Sequence, residues 1–81
     1  MIGQCLCNEV RFKVSGQLPN FYQCHCSLCR KVTGSSANAG TIVNKESFEW
    51  LNGQENVSSF IKKTGYRVDF CKSCGSPVPN P

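Results

Sequence analysis

Three thiols at C-x-C-x2-C spacing, Cys24, Cys26 and Cys29, are the densest group of reactive side chains in this 81-residue chain. Soft sulfur ligands packed this closely suit one zinc ion. Three of them fill three corners of a tetrahedron and leave the fourth for water or substrate. The other four cysteines stand as two distant pairs, Cys5/Cys7 and Cys71/Cys74. Together they make a closed four-thiolate set of the structural kind. The spacing predicts two zinc ions per chain: one clamps the ends together, and one, more labile because it has fewer ligands, is available for chemistry.

His25 leaves two readings of the central set open. As a fourth ligand it would close an inert Cys3His site. In an extended segment, however, its side chain points away from those of both neighbours, and it then faces substrate, supports the ligands from outside or lies on the surface. An open zinc on three thiolates is a soft Lewis acid that can hold an incoming thiol as thiolate beside an electrophile. That suits making or breaking carbon–sulfur bonds better than peptide hydrolysis, where His and carboxylate ligands are usual. Arg30, Lys31 and Ser35 follow directly and are candidates for binding the anionic groups of a substrate.

So short a chain forms at most one small domain, 1–81, and such domains usually need metals, disulfides or a partner. Seven cysteines in 81 residues mark a disulfide or metal scaffold. The odd count fits complete disulfide pairing poorly. The start shows no basic segment followed by an apolar run, and no stretch is long and apolar enough to span a bilayer. A reducing, cytoplasmic setting is therefore expected, where clustered cysteines mean metal rather than disulfide. Seven thiolates and two zinc ions would bring the formal charge of +4 to about +1. The basic residues are scattered, so no nucleic-acid partner is expected.

These cysteines must be positioned by strands. Val10, Phe12 and Val14 alternate with Arg11 and Lys13, as in a half-buried strand placed just after Cys5 and Cys7. Phe21-Tyr22 lead in extended form into the central cluster, and a short helical turn is expected from Ser27 to Val32. Ala37 to Val43 reads as a strand, firmest at Thr41-Ile42-Val43. Phe48 to Leu51 reads as another, with Asn52-Gly53 as a hairpin turn. Val57 to Ile61, a turn at Thr64-Gly65 and Tyr66 to Phe70 follow, and alternate prolines after Gly75 prevent a regular central strand. Phe48, Trp50, Phe60, Tyr66 and Phe70 have strand spacing and are expected in the core. The class is mainly β, with little or no helix and with metal replacing much of a core.

Several blocks together resemble the glutathione-dependent formaldehyde-activating enzymes and their centromere-protein-V relatives. They are Gly3-Gln4-Cys5-Leu6-Cys7 with Val10-Arg11-Phe12, Cys24 to Lys31 with Gly34-Ser35, Phe48-Glu49-Trp50 with Gly53, and Phe70 to Ser76. The resemblance implies a small zinc-stabilised β-tent of antiparallel strands. It places Cys5, Cys7, Cys71 and Cys74 on a structural zinc and Cys24, Cys26 and Cys29 on a catalytic one. It implies a carbon–sulfur lyase that joins glutathione to formaldehyde as S-hydroxymethylglutathione. Two departures stand out. Asn8 replaces a common Gly, and the family's domain runs on beyond the terminal knuckle, so its C-terminal part is expected to be missing here. An edge left uncovered in that way invites self-association. The alternative to an enzyme is a non-catalytic zinc-binding interaction module, or an incomplete fragment.

Overall fold

The computed structural model describes all 81 residues. Eight short strands make three antiparallel sheets. The first joins β1 (Ile2–Gln4), β2 (Arg11–Val14) and β5 (Phe48–Asn52) in the order β1-β2-β5; the second pairs β3 (Tyr22–Cys24) with β4 (Asn38–Gly40). The third joins β6 (Val57–Ile61), β7 (Arg67–Cys71) and β8 (Pro77–Val78) in the order β6-β7-β8. One helix, α1 (Ser27–Thr33), bridges β3 and β4. No helix is long and apolar enough to cross a membrane.

Alternation in β2 puts Phe12 and Val14 on one face, opposite Trp50 and Phe48 of β5. The three rings form a cluster, with centroids 5.5 Å apart for Phe12–Phe48 and 4.9 Å for Phe48–Trp50. The core proper is small. Cys5, Val10, Cys71 and Val78 form one buried group, with Trp50, Val57 and Cys74 packed against it. Only 7 of 81 residues are buried, and the accessible surface is 5849 Å². A typical folded chain of 8.9 kDa exposes about 4800 Å². A core this thin cannot hold three sheets together by apolar burial alone.

Several expectations need correction. Thr41-Ile42-Val43 lies beyond β4, and Ile42 is 78% exposed. Its propensity for strand finds no partner, because β3 ends its pairing at Tyr22–Gly40. Asn52-Gly53 does not turn a hairpin: β5 pairs with β2, and β6 with β7. Gly53, at φ 83°, instead starts a 3-10 turn (Gln54–Asn56) that carries the chain from the first sheet to the third. Its missing side chain makes room for the Glu9 carbonyl, which would lie 1.9 Å from a Cβ there. Of the aromatic residues expected in the core none is fully buried, and Phe60 is mostly exposed because β6 is an edge strand. β1 carried no signal strong enough to anticipate it.

Candidate metal centres

Cys5 and Cys7 lie in the turn from β1 to β2, Cys71 ends β7, and Cys74 sits in the turn to β8. Their Sγ atoms all fall within 4.8 Å of one another. Cys5–Cys7 is 3.5 Å and Cys7–Cys71 is 3.8 Å. Four thiolates about 2.3 Å from one zinc would be about 3.8 Å apart, so the donor set fits a tetrahedral ion. All seven cysteines are free thiols.

The backbone around this cluster is arranged to meet sulfur. Asn8 turns the loop at φ 68°, which Asn tolerates better than most side chains, and the Val10 N–H donates to Cys5 Sγ at 3.3 Å. The Asn56 side-chain amide, delivered by the 3-10 turn, donates to Cys71 Sγ at 3.3 Å and also contacts Glu9 and Ser73. Ser76 accepts from the Leu6 N–H and lies 3.3 Å from Cys74 Sγ. That hydroxyl contact is the main cause that draws the Cys74 thiol down to about 5. Cys7 is pushed up to about 12: its backbone contact at Glu9 favours the thiolate, but burial and the Cys5, Cys71 and Cys74 sulfurs outweigh it.

The second cluster is local. Cys24 ends β3, Cys26 caps α1 and Cys29 is buried in its first turn, with all three Sγ atoms within 4.8 Å of one another. Cys26 Sγ accepts the Cys29 N–H at 3.4 Å, and that bond, followed by the neighbouring thiols, lowers the Cys26 thiol. Gly34, left-handed at φ 64°, ends the helix by donating its N–H to the Arg30 carbonyl. His25 is outside the ligand group; its Nδ1 lies 3.2 Å from the Ser36 carbonyl oxygen. Two residues the sequence did not single out for this site meet Cys29 Sγ: the Tyr66 hydroxyl at 3.6 Å and the Asn38 amide at 4.0 Å. The sulfur contact, then burial, pushes the Tyr66 phenol up to about 12.

Tyr66 and Asn38 also line a cleft of about 1200 Å³ whose apolar wall includes Phe12, Phe48 and Trp50. Arg30, Lys31 and Ser35 are exposed, and none of them lines that cleft. Ser35 instead closes its own turn, bonding to the backbone of Ala37. The signal for Tyr66 was its place between Gly65 and the start of β7, but only the tertiary fold brings it beside Cys29.

Known proteins resemble the chain in both sequence and fold. A curated protein of Halomonas elongata, named "Putative glutathione-dependent formaldehyde-activating enzyme", is 32% identical over 83 aligned positions. The match takes in 94% of this chain and 52% of that protein, so the chain spans about half the length of its curated relative. A crystal structure of a Rhodobacter sphaeroides protein superposes with a TM-score of 0.75 at 26% identity, covering 95% of this chain and 70% of the other. The family model described as glutathione-dependent formaldehyde-activating enzyme matches residues 1–81. With two cysteine clusters able to hold metal ions on a β-rich frame, and a family match over its full length, the chain belongs to the glutathione-dependent formaldehyde-activating enzyme family.

Proposed function

We propose that the chain is a zinc-dependent carbon–sulfur lyase domain, with a structural zinc on Cys5, Cys7, Cys71 and Cys74 and a catalytic one on Cys24, Cys26 and Cys29. The observation that carries this reading is the inequality of the clusters: four sulfurs close one set, while the three-sulfur set meets residues of a large cleft. When bound there, zinc supplies Lewis-acid chemistry that favours the deprotonated form of a thiol. The substrate reading is a small-molecule thiol such as glutathione and a small aldehyde such as formaldehyde. A sulfur–carbon bond forms as the carbonyl π bond breaks, and the thiol proton ends on the carbonyl oxygen. The reverse reaction cleaves the adduct.

The chain's own residues account for orientation and exclusion of water. The Tyr66 hydroxyl is a donor beside Cys29, and the Asn38 amide is a second polar group on the same side. Phe12, Phe48 and Trp50 form a wall of aromatic surface along the cleft. Arg30 and Lys31 remain candidates for attracting an anionic substrate at long range, since neither reaches the cleft directly. The chemistry requires reduced thiols and so fits the cytoplasm. X-ray absorption at the zinc edge, with and without glutathione, tests the reading. The expected result is one additional sulfur on the second metal, read as a rise of about half a sulfur in the shell averaged over both ions, together with adduct formation from formaldehyde followed by NMR. An unchanged sulfur count at saturating glutathione refutes it.

A further inference from the structure

The third sheet ends in β6, and nothing lies along its outer side. Natural edge strands usually carry a charge, a proline or a bulge that discourages pairing. β6 reads Val57-Ser58-Ser59-Phe60-Ile61 and has none of these. Val57 and Ser58 are half-buried, while Ser59, Phe60 and Ile61 are exposed, the last two at 59% and 58%.

The phase of the edge is fixed by its neighbour. The Lys62 N–H donates to the Tyr66 carbonyl at 2.8 Å, and the Lys72 N–H to the Asn56 carbonyl at 3.0 Å. With the register Ser58–Phe70 and Phe60–Val68, alternation makes these the hydrogen-bonded pairs. The N–H and C=O groups of Ser59 and Ile61 and the C=O of Val57 therefore point outward, while the Val57 N–H is taken by the Gln54 carbonyl at the end of the 3-10 turn.

We propose that this edge is a self-association surface, on which β6 pairs antiparallel with β6 of a second copy about a two-fold axis at Ser59. That register sets Ser59 against its own counterpart and Val57 against Ile61 of the second copy. The Ser59 N–H and C=O, the Ile61 N–H and the Val57 C=O are then matched, with about four backbone hydrogen bonds between the copies. It also places Val57 and Ile61 side by side on one face, a favourable apolar pair. Charge agrees with the same register: the turn after β6 carries Lys63 toward the 3-10 turn that holds Glu55 of the second copy, twice by symmetry. Neither residue has an ion-pair partner within its own chain. The contact is isologous and closes, so it yields dimers and not filaments. It does not depend on the catalytic reading above.

Sedimentation equilibrium of the zinc-loaded chain from micromolar to millimolar concentration should show a monomer–dimer equilibrium. Amide exchange followed by NMR identifies the surface. Ser59 and Ile61 should exchange freely in dilute samples and slow as dimer forms, while Val57, bonded to Gln54 in its own chain, and Ser58 and Phe60 stay protected throughout. Ser59→Pro removes an outward N–H and the exposed hydroxyl that accepts from Arg67, but no bond of the β6–β7 ladder, and should weaken the dimer by about tenfold or more. Should that variant fail to fold, charge reversal decides. Glu55→Lys and Lys63→Glu should each weaken association several-fold, and the double variant should restore it. A chain that is monomeric to millimolar concentration overturns the proposal. So does a dimer whose Ser59 and Ile61 amides ignore concentration, or a double variant that fails to recover.

Discussion

Gly53→Ala tests how the two outer sheets are joined. At φ 83° an alanine costs about 1–2 kcal/mol relative to glycine. The new Cβ would also lie 1.9 Å from the Glu9 oxygen, 2.8 Å from its carbonyl carbon and 2.9 Å from Val10 Cα. These are backbone atoms and cannot swing aside, so relief requires the Cys7–Val10 loop to move. Overpacking of this kind costs about 1–3 kcal/mol more. The movement would also strain the Asn52 bond to the Glu9 carbonyl and the Val10 N–H bond to Cys5 Sγ. The combined loss is about 2–5 kcal/mol, a drop in Tm of about 10 °C or more for a domain this size. Gly65→Ala is the control: its φ is 96°, but no atom lies within 4 Å of the added Cβ, so only the conformational part applies. Thermal unfolding of both zinc-loaded variants reads the difference. If Gly53→Ala melts together with Gly65→Ala, the close approach to Glu9 does not hold the sheets in place.

Other perturbations separate the clusters. Cys24→Ser should reduce zinc from two ions per chain to one by elemental analysis and abolish adduct formation while the fold persists by circular dichroism. Cys74→Ser should instead remove the cooperative melt. It breaks a site whose metal is worth on the order of 10–16 kcal/mol, comparable to the whole stability of a domain. Tyr66→Phe keeps the ring but removes the hydroxyl 3.6 Å from Cys29 Sγ. In cobalt-loaded protein the sulfur-to-metal charge-transfer band should move to longer wavelength, because a sulfur that loses a donor gives up its electrons more readily. An unmoved band would mean that the hydroxyl does not bond to that sulfur.

How far the sequence reached depends on the range of the interaction. The partition of the cysteines was legible because C-x-C and C-x2-C spacings are local, and so was the turn from Ser27, where Cys26 caps its own helix. Asn8 drew notice only because it replaces a Gly common in the family the chain resembles; its left-handed backbone, φ 68°, is visible in the fold alone. The Asn52-Gly53 signal misled because a two-residue hairpin needs strands that pair with each other. Here β5 had already been taken by β2 through the Phe12, Phe48 and Trp50 rings. Thr41 to Val43 failed for a related reason, its partner strand being too short. Tyr66 and Asn38 could not be assigned to the site at all. Each reaches Cys29 from a different sheet, across 37 and 9 positions of chain, and no periodicity encodes that meeting.

The two clusters also differ in what a metal held there could do for the fold. Cys7 and Cys71 are 64 positions apart, and closing such a loop costs about 3.7 kcal/mol of chain entropy. The cluster there ties the β1–β2 turn to the β7–β8 turn through the buried Cys5 and Cys71, which are themselves part of the small core. Cys24 to Cys29 closes a loop of five positions, at about 1.4 kcal/mol, within a segment already ordered by β3, α1 and β4. A metal at that site has little unfolded-chain entropy to oppose, so its removal should leave the sheets intact. Graded chelation should therefore release metal in two stages. The first should remove thiol-binding capacity with the far-ultraviolet spectrum unchanged, and the second should coincide with unfolding. Because protons compete with metal for thiolates, lowering the pH should bring on both stages in the same order, the three-sulfur site emptying at the higher pH. Release of both ions in one step, together with loss of structure, would show that the three-sulfur cluster is part of the framework and would remove the physical ground for assigning it to catalysis.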